Sequence, residues 1–436
     1  MSAGTIGPDP LTNLSGEELT AANQTRPRYP CILSRHCSKC KDMATHLERP
    51  ELLARLRSAL RVNPVVAMLG PRQCGKTTLA LMLANAKRAH YFDLEDPIAT
   101  ARLAEPMTAL EPLHGLVIID EVQRQPNLFA LLRVLADRPR TPARFLLLGS
   151  ASPDLIRHSS ETLAGRIAFV DMAGFSLGET GADTQRKLWL RGGFPRAFLA
   201  RNEDTSFAWR ENFVRTFLER DIARFGIQVA PAALRRLWMM LAHYHGQIWN
   251  ASEISRSLGE AHTTVKRHLD ILTGAFMIRQ LQPWFENIGK RQIRSPKVYV
   301  CDSGLLHTLL GLRTFAALES HPKLGASWEG FVIEQVILAA NARNAYYWAT
   351  QGGAELDLML DIHGRRCGVE VKYSDAPRLS KSMVTATHDL RLHRLYVVYP
   401  GQQRYLLRSD IEALPLSALL AEIQAPRGRK GRASSS

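Results

Sequence analysis

The sequence has none of the features that mark membrane or disulfide-rich proteins. Its apolar stretches, such as Leu116–Ile119 and Phe145–Leu148, are strand-sized and shorter than the ~18 residues that a membrane-spanning helix needs. The N-terminal segment has no basic stretch followed by an apolar one, so we expect no signal peptide. The six cysteines among 436 residues suit reduced thiols better than a disulfide framework. These observations predict a cytoplasmic protein that does not associate with membranes.

Acidic residues are also in short supply, and the net charge is +15. Between residues 225 and 300 there are 10 Lys and Arg against 4 Asp and Glu, and residues 424–436 add four basic residues and no acid. A local basic surplus is typical of nucleic-acid binding, although by itself it indicates only attraction to polyanions.

The order of apolar segments predicts several domains. Residues 1–45 have no sustained period, and we expect a weakly ordered leader in which Met43 is an alternative start. Strands that alternate with helices over 46–180 predict an α/β domain with a parallel sheet. A mainly helical domain over 181–300 and a second α/β domain over 301–415 follow, and then a basic tail over 416–436.

A phosphate-binding motif follows the first predicted strand of the α/β domain. Gly70–Thr77 matches G-x-x-x-x-G-K-[ST] and lies between the apolar run 65–69 and a helical segment. Backbone N–H groups of such a loop converge on phosphates, Lys76 reaches the β- and γ-phosphates, and Thr77 is a ligand of Mg²⁺. The nucleotide-binding residues predicted here are Gly70, Pro71, Arg72, Gln73, Cys74, Gly75, Lys76, Thr77 and Thr78.

A second motif, Leu116–Glu121, supplies acids to the same site. Its apolar residues predict a buried strand whose carboxyl end faces the ligand crevice of an open α/β sheet. We expect Asp120 to hold Mg²⁺ and Glu121 to polarise the attacking water. The sequence therefore predicts ATP and Mg²⁺ as cofactors. A site that binds ATP without hydrolysing it is the alternative, and the intact Glu121 argues against it.

The chain resembles a group of prokaryotic AAA-type ATPases in which a P-loop domain is fused to a C-terminal domain of unknown function. In the ATPase part the resemblance rests on LGPRQCGKTTLA, YFDLEDP, LVIIDEVQ, FLLLGSAS and ETLAGR. Beyond it, the resemblance continues in RGGFPRAF, FVRTFLERDI, TVKRHLDIL, VYVCDSGLL, WEGFVIEQ, AELDLML and GVEVKYS, and it covers about residues 50–410. It implies that Ser150 senses the γ-phosphate. Arg166 has two interpretations that we leave open. One is a catalytic charge supplied in cis or from a neighbouring subunit of a homo-oligomer, and the other is a surface salt bridge.

A pair of short helices is predicted within the basic region. Asn250–Gly259 has a capping-box pattern and ends at glycine, and a second helix follows at His262–Leu272. This is the pattern of a winged helix-turn-helix that contacts DNA, with the stretch 290–297 as its wing. A lid or a protein contact is the alternative. The predicted DNA-contacting residues are Thr263, Thr264, Lys266, Arg267, Lys290 and Arg291.

The C-terminal domain carries a pattern that resembles the D…E-x-K signature of restriction-endonuclease-like folds. Glu370 and Lys372 share one face of a strand, and Asp357 lies on the preceding strand. If the domain is an active nuclease, Glu329, Asp357 and Glu370 bind Mg²⁺ and Lys372 orients the attacking water. A domain that keeps the fold without cleaving nucleic acid is the alternative, with a signalling or scaffold ATPase that binds protein as the corresponding function.

The leader contains Cys31, Cys37 and Cys40 near His36 and His46. One C-x-x-C without a second ligand pair is a weak zinc pattern, and we interpret these cysteines as reduced thiols.

Overall fold

The computed structural model describes residues 47–84, 89–139, 143–150, 162–222, 229–285, 294–342 and 344–425. The predicted leader with its cysteines, the residues Lys290 and Arg291, and the four basic residues of the C-terminus lie outside this part of the chain.

Helices and strands alternate over the first third of the described chain. The helices are α1 (Pro50–Val62), α2 (Lys76–Ala84), α3 (Pro97–Arg102), α4 (Pro106–Leu110) and α5 (Leu128–Ala136). The strands are β1 (Val65–Gly70), β2 (Ala89–Asp93), β3 (Gly115–Asp120), β4 (Ala143–Ser150) and β5 (Ile167–Asp171).

These five strands form one parallel sheet in the order β2-β3-β4-β1-β5. Successive residues of β1 point to opposite faces, so that Val65 and Ala67 enter one hydrophobic core while Val66 and Met68 enter another. Both faces are therefore covered, and the near-continuous apolar sequence of the strand follows from this. Because all strands run the same way, their carboxyl ends meet at one edge of the sheet.

The second part of the chain begins as a mainly helical region. Its helices are α6 (Leu177–Thr180), α7 (Gln185–Arg191), α8 (Pro195–Phe198), α9 (Glu203–Thr216), a π-helical turn (Phe217–Asp221), α10 (Pro231–His243), α11 (Ala251–Leu258) and α12 (His262–Gly274). Further along the chain come α13 (Ser303–Leu309), α14 (Phe315–Glu319), α15 (Leu324–Ala340), α16 (Lys381–Asp389) and α17 (Leu416–Gln424).

A nine-stranded mixed sheet occupies the rest of the chain, in the order β13-β14-β12-β11-β10-β9-β7-β8-β6. Its strands are β6 (Gln247–Ile248), β7 (Ile278–Pro283), β8 (Lys297–Val300), β9 (Ala345–Ala349), β10 (Glu355–Ile362), β11 (Arg365–Val371), β12 (Arg394–Tyr399), β13 (Tyr405–Arg408) and β14 (Ile411–Pro415). The sheet therefore continues from the strands beside the helix pair α11–α12 into the C-terminal domain.

The predicted fold class is confirmed: a parallel P-loop sheet is followed by a helical region and an α/β domain with a mixed sheet. The prediction that the tail begins at residue 416 is wrong, because α17 forms there and buries Leu416, Leu419, Leu420 and Ile423 in the C-terminal core. None of the helices in the described ranges has the length and apolar character needed to cross a bilayer.

Asp302 connects the start of α13 to the loop between α7 and α8. Its carboxylate caps α13 by accepting a hydrogen bond from the Leu305 amide at 2.9 Å, and it accepts another from the Gly193 amide at 2.7 Å. Asp302 thus satisfies two backbone donors that are more than 100 positions apart in the chain.

We predict that Asp302→Ala destabilises the protein by about 2–4 kcal/mol, because it removes a helix cap and leaves the Gly193 amide without its acceptor. Thr314→Ala is the matched control. It removes the exposed cap of α14, which accepts from the Ala317 amide at 3.2 Å, and should cost about 1 kcal/mol. Calorimetry would measure both midpoints, and equal shifts would contradict this role of Asp302.

Candidate functional site

The phosphate loop connects β1 to α2 at the carboxyl edge of the parallel sheet. Gln73 and Gly75 have positive φ angles of 63° and 100°, which turn the backbone between the strand and the helix. A Cβ atom at Gly70 would lie 2.0 Å from the Met172 carbonyl oxygen, so only glycine allows this close approach. Backbone geometry therefore explains the glycines of the motif. The loop ends at the N-terminus of α2, and a helix N-terminus favours the binding of anions.

Two groups of the loop have the positions that the motif requires. Lys76 is buried, and its ammonium donates to the carbonyl oxygens of Gly70 at 2.9 Å and Pro71 at 2.8 Å. The Thr77 hydroxyl donates to Asp120 Oδ2 at 2.7 Å, which connects the first turn of α2 to the end of β3. The structure thus brings together the predicted lysine, hydroxyl and carboxylate.

Glu121 lies directly after β3 and has a left-handed backbone, with φ 56° and ψ 43°. Its amide donates to Asp120 Oδ1 at 2.9 Å, and its carboxylate accepts a hydrogen bond from the Gln123 side chain. Burial raises the pKa of Glu121 above its ordinary value, Arg72 opposes this rise, and Asp120 adds to it. Backbone strain in a non-glycine residue is common at functional sites.

Arg72 makes contacts that the motif did not indicate. Its guanidinium forms an ion pair with Asp221 at the end of the π-helical turn, lies 3.1 Å from Glu95 Oε1, and lies 3.6 Å from Glu121 Oε1. Burial by itself would lower the pKa of Arg72, but the carboxylates of Glu121, Asp221 and Glu95 raise it. One loop residue therefore connects the predicted base to the helical region.

Two further residues belong to the site although they lie outside the two motifs that predicted it. Tyr91 on β2 donates its hydroxyl proton to Asp120 Oδ2 at 2.8 Å, and Asp221 holds Arg72. Both lie outside Gly70–Thr77 and Leu116–Glu121, so only the fold shows that they belong to the site.

Two further residues predicted to bind the nucleotide are Cys74, which lies in the phosphate loop, and Ser150, which lies on a neighbouring strand. Cys74 is buried and its thiol lies 3.7 Å from the Met172 carbonyl oxygen, so it packs beneath the loop. Ser150 is the last residue of β4, next to Gly70 in the register of the sheet.

Arg166 precedes β5 and forms a two-pronged salt bridge with Asp137, at 2.5 and 2.9 Å. Because Ile167 pairs with Val65, Arg166 lies at the amino edge of the sheet. The phosphate loop lies at the opposite edge, about five residues or ~17 Å away. The interpretation of Arg166 as a catalytic charge in cis is therefore wrong for this arrangement, and a contribution from a neighbouring subunit stays a prediction.

The predicted helix pair is present as α11 and α12, joined by residues 259–261. Asn250 caps α11 by accepting from the Glu253 amide at 3.3 Å, and Gly259 ends the helix in the left-handed conformation. On α12, Val265, Leu269 and Leu272 are buried as predicted. Thr263, Lys266 and Arg267 are exposed and Thr264 is partly exposed. The start of α12 is thus available to a partner.

In the C-terminal domain, the predicted acidic residues gather around a lysine that the sequence had suggested for the wing. Lys297, the last residue of the stretch 290–297 suggested as the wing, is 3% exposed and points into the C-terminal domain. Its ammonium lies 3.3 Å from Glu329 Oε1 and 3.5 Å from Asp357 Oδ1, and it forms an ion pair with Glu355. Glu370 pairs instead with Lys372, at 2.7 Å. We refer to Lys297, Glu329, Glu355, Asp357, Glu370 and Lys372 as the acidic cluster.

Burial and mutual repulsion dominate the electrostatics of the acidic cluster. Burial first, and then Asp357, raises the pKa of Glu329 to about 7 and that of Glu370 to about 8. Burial by itself would lower the pKa of Lys297, but Tyr299, Glu329, Asp357 and Glu355 hold it well above its ordinary value. Glu334 on α15 lies outside this cluster: it is largely buried and binds Arg279 at 2.7 and 2.8 Å.

No group of three or more His, Cys, Asp or Glu side chains within the described ranges is arranged to hold a metal ion.

Family models match three consecutive parts of the chain. An AAA domain matches residues 62–181, a domain of unknown function (DUF8612) matches 182–316, and another domain of unknown function (DUF4143) matches 324–419. The chain therefore contains an AAA-type P-loop ATPase domain fused to C-terminal domains of unknown function, as the resemblance implied.

Two relatives cover nearly the whole chain. The uncharacterized proteins Rv2008c of Mycobacterium tuberculosis and Mb2031c of Mycobacterium bovis are each 52% identical over 412 residues, which is 94% of this chain and 90% of theirs. This protein belongs to the same family as these two mycobacterial proteins. Among solved structures, the Walker-type ATPase paby2304 of Pyrococcus abyssi is 17% identical with a TM-score of 0.45, covering 61% of this chain and 96% of that one.

Proposed function

We propose that the protein is a Mg²⁺-dependent ATPase that binds and hydrolyses ATP at the phosphate loop. The observation that carries the proposal is the 2.7 Å hydrogen bond from Thr77 to Asp120. A hydroxyl and a carboxylate in contact beside a phosphate loop are the two protein groups that hold Mg²⁺ in P-loop enzymes. The residues present fit the ion and the nucleotide, because the loop turns its backbone through Gln73 and Gly75 and ends at a helix N-terminus.

Each residue has a role that its position supports. When ATP binds, the Lys76 ammonium exchanges its hydrogen bonds to the carbonyl oxygens of Gly70 and Pro71 for hydrogen bonds to the phosphates, because a phosphate is a stronger acceptor than a neutral carbonyl. Thr77 and Asp120 hold Mg²⁺, which neutralises charge on the phosphates when bound. Glu121 orients the attacking water and accepts its proton, while the Gln123 side chain and the Glu121 backbone fix the position of the carboxylate.

We further propose that the nucleotide state governs a module that binds nucleic acid through the start of α12. The exposed Thr263, Lys266 and Arg267 support this proposal, since such side chains contact phosphates and base edges. The ion pair between Arg72 and Asp221 supplies a physical connection from the phosphate loop to the helical region.

Cleavage of nucleic acid by Glu329, Asp357, Glu370 and Lys372 stays a prediction from the sequence. The contacts of Lys297 with these carboxylates favour the alternative, in which the C-terminal domain keeps a nuclease-like fold and does not cleave. A scaffold ATPase whose C-terminal domains bind protein is the corresponding second function.

We predict that Glu121→Gln lowers kcat for ATP hydrolysis by about 10²-fold or more while leaving ATP affinity within a few-fold, because the amide cannot accept a proton. Lys76→Ala should abolish ATP binding itself. Phosphate release and binding of a fluorescent ATP analogue would separate the two effects, with Glu111→Gln, an exposed acid of the same domain, as control. Hydrolysis by Glu121→Gln at the wild-type rate would show that Glu121 is not the base.

A second prediction concerns pH. Since Arg72 opposes the rise in the pKa of Glu121, Arg72→Ala should raise that pKa further. The ionised base is lost as pH falls through this pKa, so the acid limb of kcat at saturating ATP should move to higher pH. Arg124→Ala, which removes an exposed arginine 3.9 Å from Glu95, should leave the limb in place. An unchanged limb in Arg72→Ala would contradict the contact between Arg72 and the base.

A third prediction tests the nucleic-acid module. Replacing Lys266 and Arg267 together by alanine should weaken DNA binding and reduce the slope of log affinity against log salt concentration by about 2, one for each lost phosphate contact. Arg378→Ala with Lys381→Ala removes two exposed charges of the C-terminal domain and serves as the matched control. Equal DNA affinity of the two double variants would favour the scaffold function.

A further inference from the structure

The acidic cluster contains a cation supplied by the chain itself. Lys297 begins β8, and because alternate residues of a strand share a face, its side chain points the same way as that of Tyr299. Both reach Glu329 on α15: the Tyr299 hydroxyl donates to Glu329 Oε1 at 2.6 Å, and the Lys297 ammonium lies 3.3 Å from the same atom. β8 therefore places a hydrogen-bond donor, the Tyr299 hydroxyl, and a positive charge, the Lys297 ammonium, beside the Glu329 carboxylate.

The ammonium also faces the sheet strand that carries the aspartate of the predicted signature. Asp357 Oδ1 lies 3.5 Å from Lys297 Nζ, while Asp357 Oδ2 accepts the Val371 amide proton at 2.9 Å. Glu355, two residues earlier on β10, forms a further ion pair with Lys297. Three carboxylates thus face one buried ammonium, and a buried charge in this setting is stabilised only by such partners.

The fourth carboxylate has a cation of its own. Glu370 Oε1 lies 2.7 Å from Lys372 Nζ. Glu370 Oε2 is buried and has no hydrogen-bond partner among the described residues. Since the Lys372 ammonium already contacts the other oxygen of this carboxylate, a Mg²⁺ ion on Oε2 would lie close to a positive charge.

The residues present therefore do not fit a divalent metal ion. A Mg²⁺ ion bound by Glu329 and Asp357 would have to occupy the region that the ammonium contacts. An ammonium and a divalent cation within a few ångströms of each other repel strongly in a buried site. We infer that Lys297 is the resident cation of the acidic cluster and that the cluster, with Lys297 in place, takes up no divalent metal ion.

This inference assigns Lys297 a role that neither the D…E-x-K pattern nor the basic stretch 290–297 indicated. The lysine neutralises the carboxylates that would otherwise hold a metal ion, and it ties β8 to α15 and β10. A site without a metal ion has no metal-activated water with which to attack a phosphodiester. The C-terminal domain then lacks the metal-dependent cleavage that the D…E-x-K pattern suggested. None of these steps depends on the ATP hydrolysis proposed above.

The inference is tested by Mn²⁺ binding to the full chain without nucleotide, measured by electron paramagnetic resonance. Wild type and Asp357→Asn should bind the same number of Mn²⁺ ions, because Asp357 holds none in either protein. Any weak Mn²⁺ binding at Thr77 and Asp120 is the same in the two proteins and cancels in the comparison. A Mn²⁺ ion present in wild type and lost in Asp357→Asn would overturn the inference.

Lys297→Met should gain one bound Mn²⁺ ion, since it removes the ammonium while keeping an unbranched apolar side chain that is one atom shorter. Adding Asp357→Asn to this variant should abolish the gain. Lys372→Met is the matched control: it removes a lysine of the same cluster that is 44% exposed, leaves Lys297 in place, and should gain no ion. If Lys297→Met binds no additional Mn²⁺, the inference fails, because something other than Lys297 excludes the metal ion.

Removal of a buried cation leaves carboxylates without a partner and can prevent folding. Lys297→Gln then takes the place of Lys297→Met, because its amide still donates to Glu329 while carrying no charge. The comparison of wild type with Asp357→Asn is unaffected by the fate of either variant, and ATP hydrolysis plays no part in any of these measurements.

Discussion

The hydrogen bond between Thr77 and Asp120 sets the geometry of the whole ATPase site. It joins the first turn of α2 to the last residue of β3, and it exists only because parallel strands end at the same edge of the sheet. The same carboxylate also accepts from Tyr91 on β2, so that three elements of the fold, α2, β2 and β3, meet at one side chain. A change in the register of β3 would separate the hydroxyl from the carboxylate and remove the contact between the two predicted Mg²⁺ ligands.

Arg72 extends the site beyond the sheet. Its ion pair with Asp221 crosses from the phosphate loop to a π-helical turn of the helical region, while its distance of 3.6 Å from Glu121 keeps it near the predicted base. Single π-helical turns are often found at functional sites. A phosphate group that attracted Arg72 would therefore disturb its contacts with both Asp221 and Glu121.

Motifs and helix caps formed by residues that are close in sequence could be predicted, whereas contacts between residues that are distant in sequence could not. The motif Gly70–Thr77 with its flanking strand and helix, the acids at the end of β3, and the capped helix α11 all follow from local patterns, and the structure contains each of them. The pairing of β10 with β11 could also be expected, because only the turn His363–Gly364 separates the two strands. Lys297 and Asp221 gave no such signal, since a lysine in a basic stretch and an aspartate at a helix end are unremarkable until the fold brings them to carboxylates or to Arg72. Arg166 illustrates the opposite case, because its motif suggested a catalytic role, whereas the sheet places it at the edge opposite the phosphate loop.

We have proposed that Thr77 and Asp120 together hold Mg²⁺ for ATP hydrolysis, and substitution of the Thr77 hydroxyl tests this proposal. Phosphate release under single-turnover conditions would be measured over a range of Mg²⁺ concentrations for wild type, Thr77→Ser and Thr77→Val. Serine keeps the hydroxyl and should preserve most of the rate, whereas valine has a similar shape without the oxygen and should lose the Mg²⁺-dependent rate. Equal, Mg²⁺-dependent rates for Thr77→Val and wild type would show that the Thr77 hydroxyl is not needed to hold Mg²⁺.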